Sequence, residues 1–206
     1  MTASANPFLI RTQTATEIQT PVNGEWVFKV GENGLLQADF LQTDQSLKLK
    51  IFLTGIGARS EINCGYLLNN NNKINIDIQV IHKSGETSSS QVIRGLVADS
   101  AKVSFNGTIT IPYDSQKCDG HQNHRGVILS DKAEIESVPQ LEIWADDVKC
   151  DHGSAIGPLD EEQLFYLQTR GLSLTESRKL LLSSFFSDLL PSDFNTPIQE
   201  WMDKHV

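Results

Sequence analysis

Apolar and polar residues alternate one by one through much of the chain between residues 20 and 145. Clear examples are the runs KINIDIQVI at 73–81 and AKVSFNGTITI at 101–111. Successive side chains of a β-strand point to opposite faces, so this period of two predicts half-buried strands. Helical periodicity is nearly absent before residue 158. The sequence therefore predicts a mainly β region followed by helices.

Short polar segments separate the predicted strands and are expected to be turns, at 31–34, 69–72, 84–86 and 106–107. A weak internal repeat also occurs, with RGLV at 94–97 and RGVI at 125–128. Repeated short strands are typical of a stacked solenoid, in which each coil buries its apolar face against its neighbours. A β-sandwich alternates in the same way, and the pattern alone does not separate the two architectures.

After residue 158 the pattern becomes helical. Asp160 precedes an acidic first turn, which favours a helix N-terminus, and Gly171 is placed to end that helix. Ser173 and Glu176 have the spacing of a capping box, which predicts the start of a second helix. A third helix is predicted to begin with a further capping box, TPIQ at 196–199, with proline at its first helical position.

Charge and composition exclude several classes of protein. The chain has 206 residues and a formal net charge of −9, without the basic stripe that nucleic-acid binding requires. It has no apolar run long enough to span a bilayer, and its first residues do not resemble a signal peptide. Three cysteines without repeated spacing do not indicate a disulfide framework. The protein is therefore expected to be cytoplasmic and to bind neither nucleic acid nor membranes.

The segment ADDVKCDHG at 145–153 concentrates the reactive side chains of the chain. Cys150 and His152 lie two residues apart, so on a strand they share a face, and both are ligands for iron or zinc. One thiol and one imidazole are short of a four-ligand site, and alone they favour structural roles unless a second subunit completes the site. Phosphate-loop, nucleophile-elbow and HExxH motifs are absent from the sequence, so nothing in it supports an independent enzyme.

Other cysteines and histidines are weaker candidates. Cys118, His121 and His124 lie in KCDGHQNH, whose spacings do not match a standard zinc knuckle, and the segment is interpreted as a solvated turn. His82 is expected to stabilise a turn through a hydrogen bond. Cys64 is interpreted as a small buried hydrophobe.

The motif ADDVKC-x-HG, followed by LD-x-x-QLFYL-x-x-RG at 159–171, resembles the C-terminal signature of the SufB/SufD family of iron–sulfur cluster assembly proteins, and its SufD branch most. The resemblance covers roughly residues 40–190. The family usually continues HG-A-T, whereas this chain reads HG-S-A. The resemblance implies a right-handed parallel β-helix and so favours the solenoid over the sandwich. Because the family carries a helical region before the β-helix, the chain is expected to be a short form lacking that region.

Together with the resemblance, the patterns predict a β-helix core over residues 1–157, with an irregular N-terminal segment over 1–20. A small C-terminal helical unit is predicted over 158–206. The resemblance further implies a non-catalytic scaffold subunit that docks a SufC-type ATPase. That subunit would pair with a SufB-like subunit or with a second copy of itself.

Site residues follow from the same resemblance. His152 matches the family's interface histidine, so His152 and Cys150 are candidate ligands for iron or a nascent iron–sulfur cluster, held transiently at a subunit interface. Phe165, Tyr166 and Arg170 are candidates for the surface that docks the ATPase. The alternative is a truncated family homologue that acts only as a protein–protein interaction module and does not handle metal.

Overall fold

The computed structural model describes residues 8–13, 16–22 and 24–206. Strands occupy most of this part of the chain up to residue 157. They are β1 (Phe8–Gln13), β2 (Thr16–Val22), β3 (Glu25–Val30), β4 (Leu35–Gln42), β5 (Leu47–Leu53), β6 (Arg59–Leu68), β7 (Lys73–His82), β8 (Ser88–Val97), β9 (Lys102–Ile111), β10 (Cys118–Ile128), β11 (Glu134–Ile143) and β12 (Val148–Gly157).

The chain visits two six-stranded sheets alternately. Sheet A has the order β1-β4-β6-β8-β10-β12, and sheet B has the order β11-β9-β7-β5-β3-β2. From β3 and β4 onward all neighbours are parallel. Hydrogen-bonded side chains on successive coils, Asn63 with Asp39 and Gln122 with Gln91, are 24 and 31 residues apart in sequence. The predicted parallel β-helix is confirmed, and the antiparallel sandwich is excluded.

The interior of the solenoid is filled by every second residue of each strand. On β7, for example, Ile74, Ile76, Ile78 and Val80 are buried, while the residues between them are at least partly exposed. This confirms the half-buried strands predicted from the period of two. Full burial of a side chain of this size stabilises the fold by about 1.5–3 kcal/mol.

Two predicted turns are strands instead. Residues 106–107 lie inside β9, where a side chain at Gly107 would overlap the carboxamide of Gln122. Residues 118–124 lie in β10, and Cys118 and His124 there are buried rather than solvated. In both segments small or polar residues occupy inward positions, and composition alone made these positions resemble turns. The turn at 69–72 is confirmed, with a φ of 58° at Asn70.

Part of the N-terminal segment predicted to be irregular forms strands. β1 pairs antiparallel with β4, and β2 pairs antiparallel with β3. Each therefore adds to the first strand of a parallel sheet and covers an edge that would otherwise be unpaired. Residues 1–7 and 14–15 of the segment lie outside the described residues.

Helices follow the last strand: α1 (Glu161–Thr169), α2 (Leu174–Phe186) and α3 (Asn195–His205). The side chain of Asp160 accepts hydrogen bonds at the start of α1, and Gly171 follows the helix with a φ of 96°. Ser173 and Glu176 form the predicted capping box of α2.

The predicted capping box at 196–199 is wrong. A 3-10 turn, Ser192–Phe194, leads directly into α3, which begins at Asn195 without a side-chain cap. Pro197 then lies within the first turn, where its missing N–H has no intrahelical partner to lose.

The helices α2 and α3 pack on the outer face of sheet A. An apolar cluster joins sheet residues to both helices; its members include Leu41, Leu67, Leu96, Val127, Leu182, Phe186, Ile198, Trp201 and Met202. Helix α1, in contrast, buries no residue. Among the described residues, no helix combines the length and the apolar character needed to cross a membrane.

Candidate functional site

The C-terminal end of the solenoid is open. Its last coil consists of β11 and β12, each of which is the terminal strand of its sheet. On β10, one coil earlier, the inward residues Gly120 and Gln122 are buried, whereas on β12 Cys150 is half-buried and His152 is exposed. Among the described residues, no further strand pairs with β12 or β11 beyond this coil. The inner face of the last coil is therefore accessible.

Cys150 and His152 lie on that inner face. In the register of the sheet, Cys150 is the neighbour of Gly120, and His152 is the neighbour of Gln122. The Sγ atom of Cys150 lies 3.1 Å from the position that a Cβ of Gly120 would occupy. The absence of a side chain at Gly120 thus makes room for the thiol. The prediction that residues two apart share one face is confirmed.

Burial raises the pKa of the Cys150 thiol above its usual value. A backbone hydrogen bond with Gly120 lowers the pKa but is outweighed, and the charges of Asp119 and Asp151 act in the same direction as burial. The thiol is therefore protonated at neutral pH in the isolated chain. Binding of a metal ion to its sulfur would release a proton.

On the opposite, outer face of the same strands, His121 lies between two carboxylates. Its Nε2 is 2.6 Å from Oδ1 of Asp119, and its Nδ1 is 2.9 Å from Oδ1 of Asp151. The hydrogen bond to Asp151 is the main cause that raises the pKa of His121, and the charges of both carboxylates add to it, although partial burial opposes them. This contact ties β12 to β10 from outside.

The carboxylates of the outer face are thus separated from Cys150 and His152 by the sheet. Within the residues that the structure describes, no three His, Cys, Asp or Glu side chains are grouped so that they could hold a metal ion. Cys150 and His152 together offer one thiolate and one imidazole, which suit iron but leave a tetrahedral site incomplete. Further ligands would have to come from another molecule.

A buried polar row leads from the core to the open end and was missed at the sequence level. The hydroxyl of Tyr66 is 2.9 Å from Nε2 of His124, whose Nδ1 is 2.8 Å from the hydroxyl of Ser137. The hydroxyl of Ser154 on β12 donates to Ser137 at 3.0 Å. Extending the period-two pattern through residues 118–124 would have indicated that His124 faces inward.

A second cluster of buried polar side chains surrounds His82. Its Nδ1 is 2.8 Å from the hydroxyl of Thr87, and its Nε2 is 2.9 Å from that of Ser89. The predicted turn-stabilising hydrogen bond of His82 is confirmed. The Sγ of Cys118 is 3.2 Å from the same Thr87 hydroxyl. Burial lowers the pKa of His82 to about 4, and the charge of Asp119 opposes this effect weakly.

The residues proposed for ATPase docking lie on α1 and at its C-terminal end, where Arg170 is the C-cap residue. Tyr166 and Arg170 are brought together, because Nη2 of Arg170 donates to the Tyr166 hydroxyl at 3.2 Å and the guanidinium lies 5.1 Å from the ring centre. Phe165 is 68% exposed and Tyr166 is 56% exposed. Adjacent helical residues point about 100° apart, so Phe165 does not share the face of the other two. The three residues form an exposed surface that wraps part of the helix.

Comparisons with known proteins agree with this architecture. The family model described as "SUF system FeS cluster assembly, SufBD core domain" matches residues 35–185. This range begins at β4 and ends within α2, so it includes the open end, α1 and most of the solenoid.

Curated relatives match at moderate identity. The iron-sulfur cluster assembly protein SufD of Escherichia coli is 36% identical over 108 residues, which are 52% of this chain and 26% of that protein. SufD of Bacillus subtilis is 33% identical over 117 residues, 56% of this chain and 26% of the relative. Protein ABCI7, chloroplastic, of Arabidopsis thaliana is 32% identical over 148 residues, 71% of this chain and 31% of the relative. The matched part thus spans between a quarter and a third of each of these relatives.

Proposed function

From the premise that this chain belongs to the SufBD core-domain family of the SUF system for iron–sulfur cluster assembly, we propose that it is a non-catalytic scaffold subunit. The cluster is its cargo and not a resident cofactor. Cys64, Cys118 and Cys150 are all free thiols, which suits a reducing compartment such as the cytoplasm.

The observation that carries the proposal is the open end of the solenoid. Two parallel sheets stop there with strand edges that no described strand pairs, and such edges favour pairing with another chain. A SufB-like subunit, or a second copy of this chain, would cover the last coil. Covering it would enclose Cys150 and His152 between the two subunits.

In this arrangement His152 and Cys150 would supply two donors to iron or to a nascent cluster. The partner would supply the remaining donors, because the described residues of this chain do not complete a site. The thiol of Cys150 would bind as a thiolate.

A SufC-type ATPase would dock on α1. An exposed aromatic pair next to an arginine has the composition of a protein-binding surface, and neither Phe165 nor Tyr166 is needed for packing within the chain. The helix follows β12 after only a short connection. Movement of a docked ATPase would therefore act close to the last coil.

The metal role is tested with His152→Ala in a complex reconstituted with a SufB-like subunit, iron, a sulfide source and a SufC-type ATPase. We expect cluster formation, followed by the visible absorption of the cluster, to fall well below that of the unchanged complex. The matched control is His121→Gln, which removes an imidazole of the preceding coil from the opposite face of the sheet. The control should form the cluster normally.

The competing function is an interaction module that assembles without handling metal. The absence of a complete metal group among the described residues favours this candidate. Unchanged cluster formation by the His152→Ala complex would support it and would overturn the metal role, provided that the complex still assembles.

The docking surface is tested by co-expression with a SufC-type ATPase and size-exclusion chromatography with light scattering. The chain should form a stoichiometric complex, and the double variant Tyr166→Ala, Arg170→Ala should not. Tyr113→Ala is the control, because Tyr113 is 67% exposed but lies after β9 rather than on α1. Equal binding by the double variant would place the ATPase elsewhere.

A further inference from the structure

Gln91 and Gln122 form a short amide ladder inside the solenoid. They are neighbours on β8 and β10, each is only 1% exposed, and Nε2 of Gln122 donates to Oε1 of Gln91 at 3.0 Å. In such a ladder each carboxamide donates to the rung on one side and accepts from the rung on the other. The next position in the same column, on β12, is His152.

The outer rung of the ladder, Gln122, has one atom without a hydrogen-bond partner among the described residues. Oε1 of Gln122 is buried and forms no hydrogen bond with the described residues. A buried carbonyl oxygen without a partner loses its hydrogen bond to water and gains nothing in return. The outer rung of the ladder therefore offers an acceptor that would be stabilised by an N–H donor.

The other inward residues next to Gln122 offer few hydrogen-bond donors to its Oε1. The side chain of Gln122 lies against Gly107 on β9, and Pro139 is the neighbour of Gly107 on β11. Glycine has no side chain, and proline has neither a side-chain donor nor a backbone N–H. His152 is the neighbour of Gln122 on β12, so its backbone lies one strand spacing away, about 4.8 Å, and a rotation of its exposed side chain can bring a ring N–H to Oε1.

We propose that Gln122 is a positioning residue for His152: its Oε1 accepts a hydrogen bond from one ring N–H and fixes the tautomer that leaves the other nitrogen free to bind iron. The importance of this bond rests on the proposed metal role of His152. A histidine that binds a metal ordinarily donates its other N–H to an oxygen acceptor, which orients the ring. Gln122 supplies that acceptor from a rigid, buried position.

The test measures the tautomer of His152 in the full chain labelled with ¹⁵N-histidine, without metal and at neutral pH. Its imidazole ¹⁵N shifts should show one predominant tautomer. Gln122→Met, which has similar length but no acceptor, should give a mixture of both tautomers. Gln122→Glu keeps an oxygen acceptor and should restore the single tautomer, with the carboxamide of Gln91 turned so that its Nε2, which has no partner among the described residues, donates to the new carboxylate. Assignment uses the signals lost in His152→Ala.

Ser154→Ala is the control, since it removes a hydroxyl two residues along the same face without touching the amide ladder. It should leave the tautomer unchanged. A mixture of tautomers in the unchanged chain, or a single tautomer retained in Gln122→Met, would overturn the inference.

Binding of Co²⁺ to the same proteins in complex with a SufB-like subunit, followed by absorption spectroscopy, separates this inference from the proposed function. Affinity should fall about tenfold in Gln122→Met and recover in Gln122→Glu. If His152→Ala binds Co²⁺ as tightly as the unchanged chain, the metal role of His152 is wrong. The tautomer measurement still decides whether Gln122 holds the ring.

Discussion

The ring of Tyr66 fills the space that Gly95 leaves on the next coil. A Cβ at Gly95 would overlap three atoms of the ring, and a Cβ at Gly126, one coil further, would lie 2.9 Å from the Tyr66 hydroxyl. Gly95 and Gly126 are the successive strand neighbours of Tyr66, so the tyrosine side chain extends across two coils. Its hydroxyl lies 2.9 Å from Nε2 of His124. This side chain links the apolar core to the polar row that leads to the open end.

Replacing Gly95 by alanine should destabilise the protein by about 1–3 kcal/mol. The added methyl group meets the Tyr66 ring, which cannot shift far because its hydroxyl is hydrogen-bonded within the core. Urea denaturation of the two proteins measures the difference in the free energy of unfolding. The control is Gly157→Ala, also a strand glycine, where the new Cβ has no atom within 4 Å and the change should stay within about 0.5 kcal/mol. Equal effects at both positions would contradict the packing argument.

Stability should fall as the pH is lowered from about 6.5 to about 4. Burial lowers the pKa of His82 and of His124 to about 4 in the folded chain, whereas the unfolded chain titrates near 6.5. Between these values the unfolded state binds more protons, so the free energy of unfolding decreases with falling pH. The stabilisation is complete above pH 6.5 and amounts to up to about 3 kcal/mol for each histidine. Urea denaturation across this range gives the slope.

His124→Gln is the informative variant for this pH dependence. Glutamine can still bond to Tyr66 and Ser137 but does not titrate, so the slope should become shallower. His121→Gln should leave this slope nearly unchanged and should alter the pH dependence above 6.5 instead, since Asp151 raises the pKa of His121 and its contribution is present below pH 6.5 and lost as the pH rises through the folded pKa. A slope between pH 4 and 6.5 that His124→Gln does not change would mean that other groups control the acid sensitivity.

The strands could be predicted from the sequence because inward and outward residues alternate with a period of two. The stacking of coils could not, since a sandwich gives the same alternation, and the resemblance of residues 145–171 decided between them. Residues 118–124 were predicted to be a solvated turn because they are mostly polar, and this prediction was wrong. Inside the solenoid Gln122 bonds to Gln91 and His124 bonds to Tyr66 and Ser137, and a sequence window does not reveal these distant partners.

For the candidate site, the spacing of Cys150 and His152 was enough to place them on one face. Their accessibility was not predictable, because it depends on which strand ends the sheet. The side chains that surround them could not be identified from the sequence. Gly120 makes room for the thiol, and Gln122 is the strand neighbour of His152, although each is about 30 residues away in sequence.

Cys150 should be the thiol that reacts fastest in the folded chain. Cys64 is fully buried, which raises its pKa to about 12, and Cys118 is only 2% exposed, whereas Cys150 is half-buried at the open end. A chromogenic disulfide reagent should modify one thiol in the native protein and three in urea. Its rate should keep rising above pH 9, because burial also raises the pKa of Cys150. Cys150→Ser should remove the fast reaction, and a second fast thiol would contradict this order.

Arg94 should hold the end of α2 on the sheet. Its Nη1 donates to the carbonyl oxygen of Phe185 at 2.6 Å, and its guanidinium forms an ion pair with Asp188 through two oxygens. Because the arginine side chain is only 16% exposed, Arg94→Gln should cost about 2 kcal/mol and increase amide hydrogen exchange near Phe185. Arg125→Gln is the matched control, since Arg125 is the neighbour of Arg94 one coil further and is exposed. A similar loss of stability and protection in both variants would show that general surface charge, rather than the bonds of Arg94, fixes the helix.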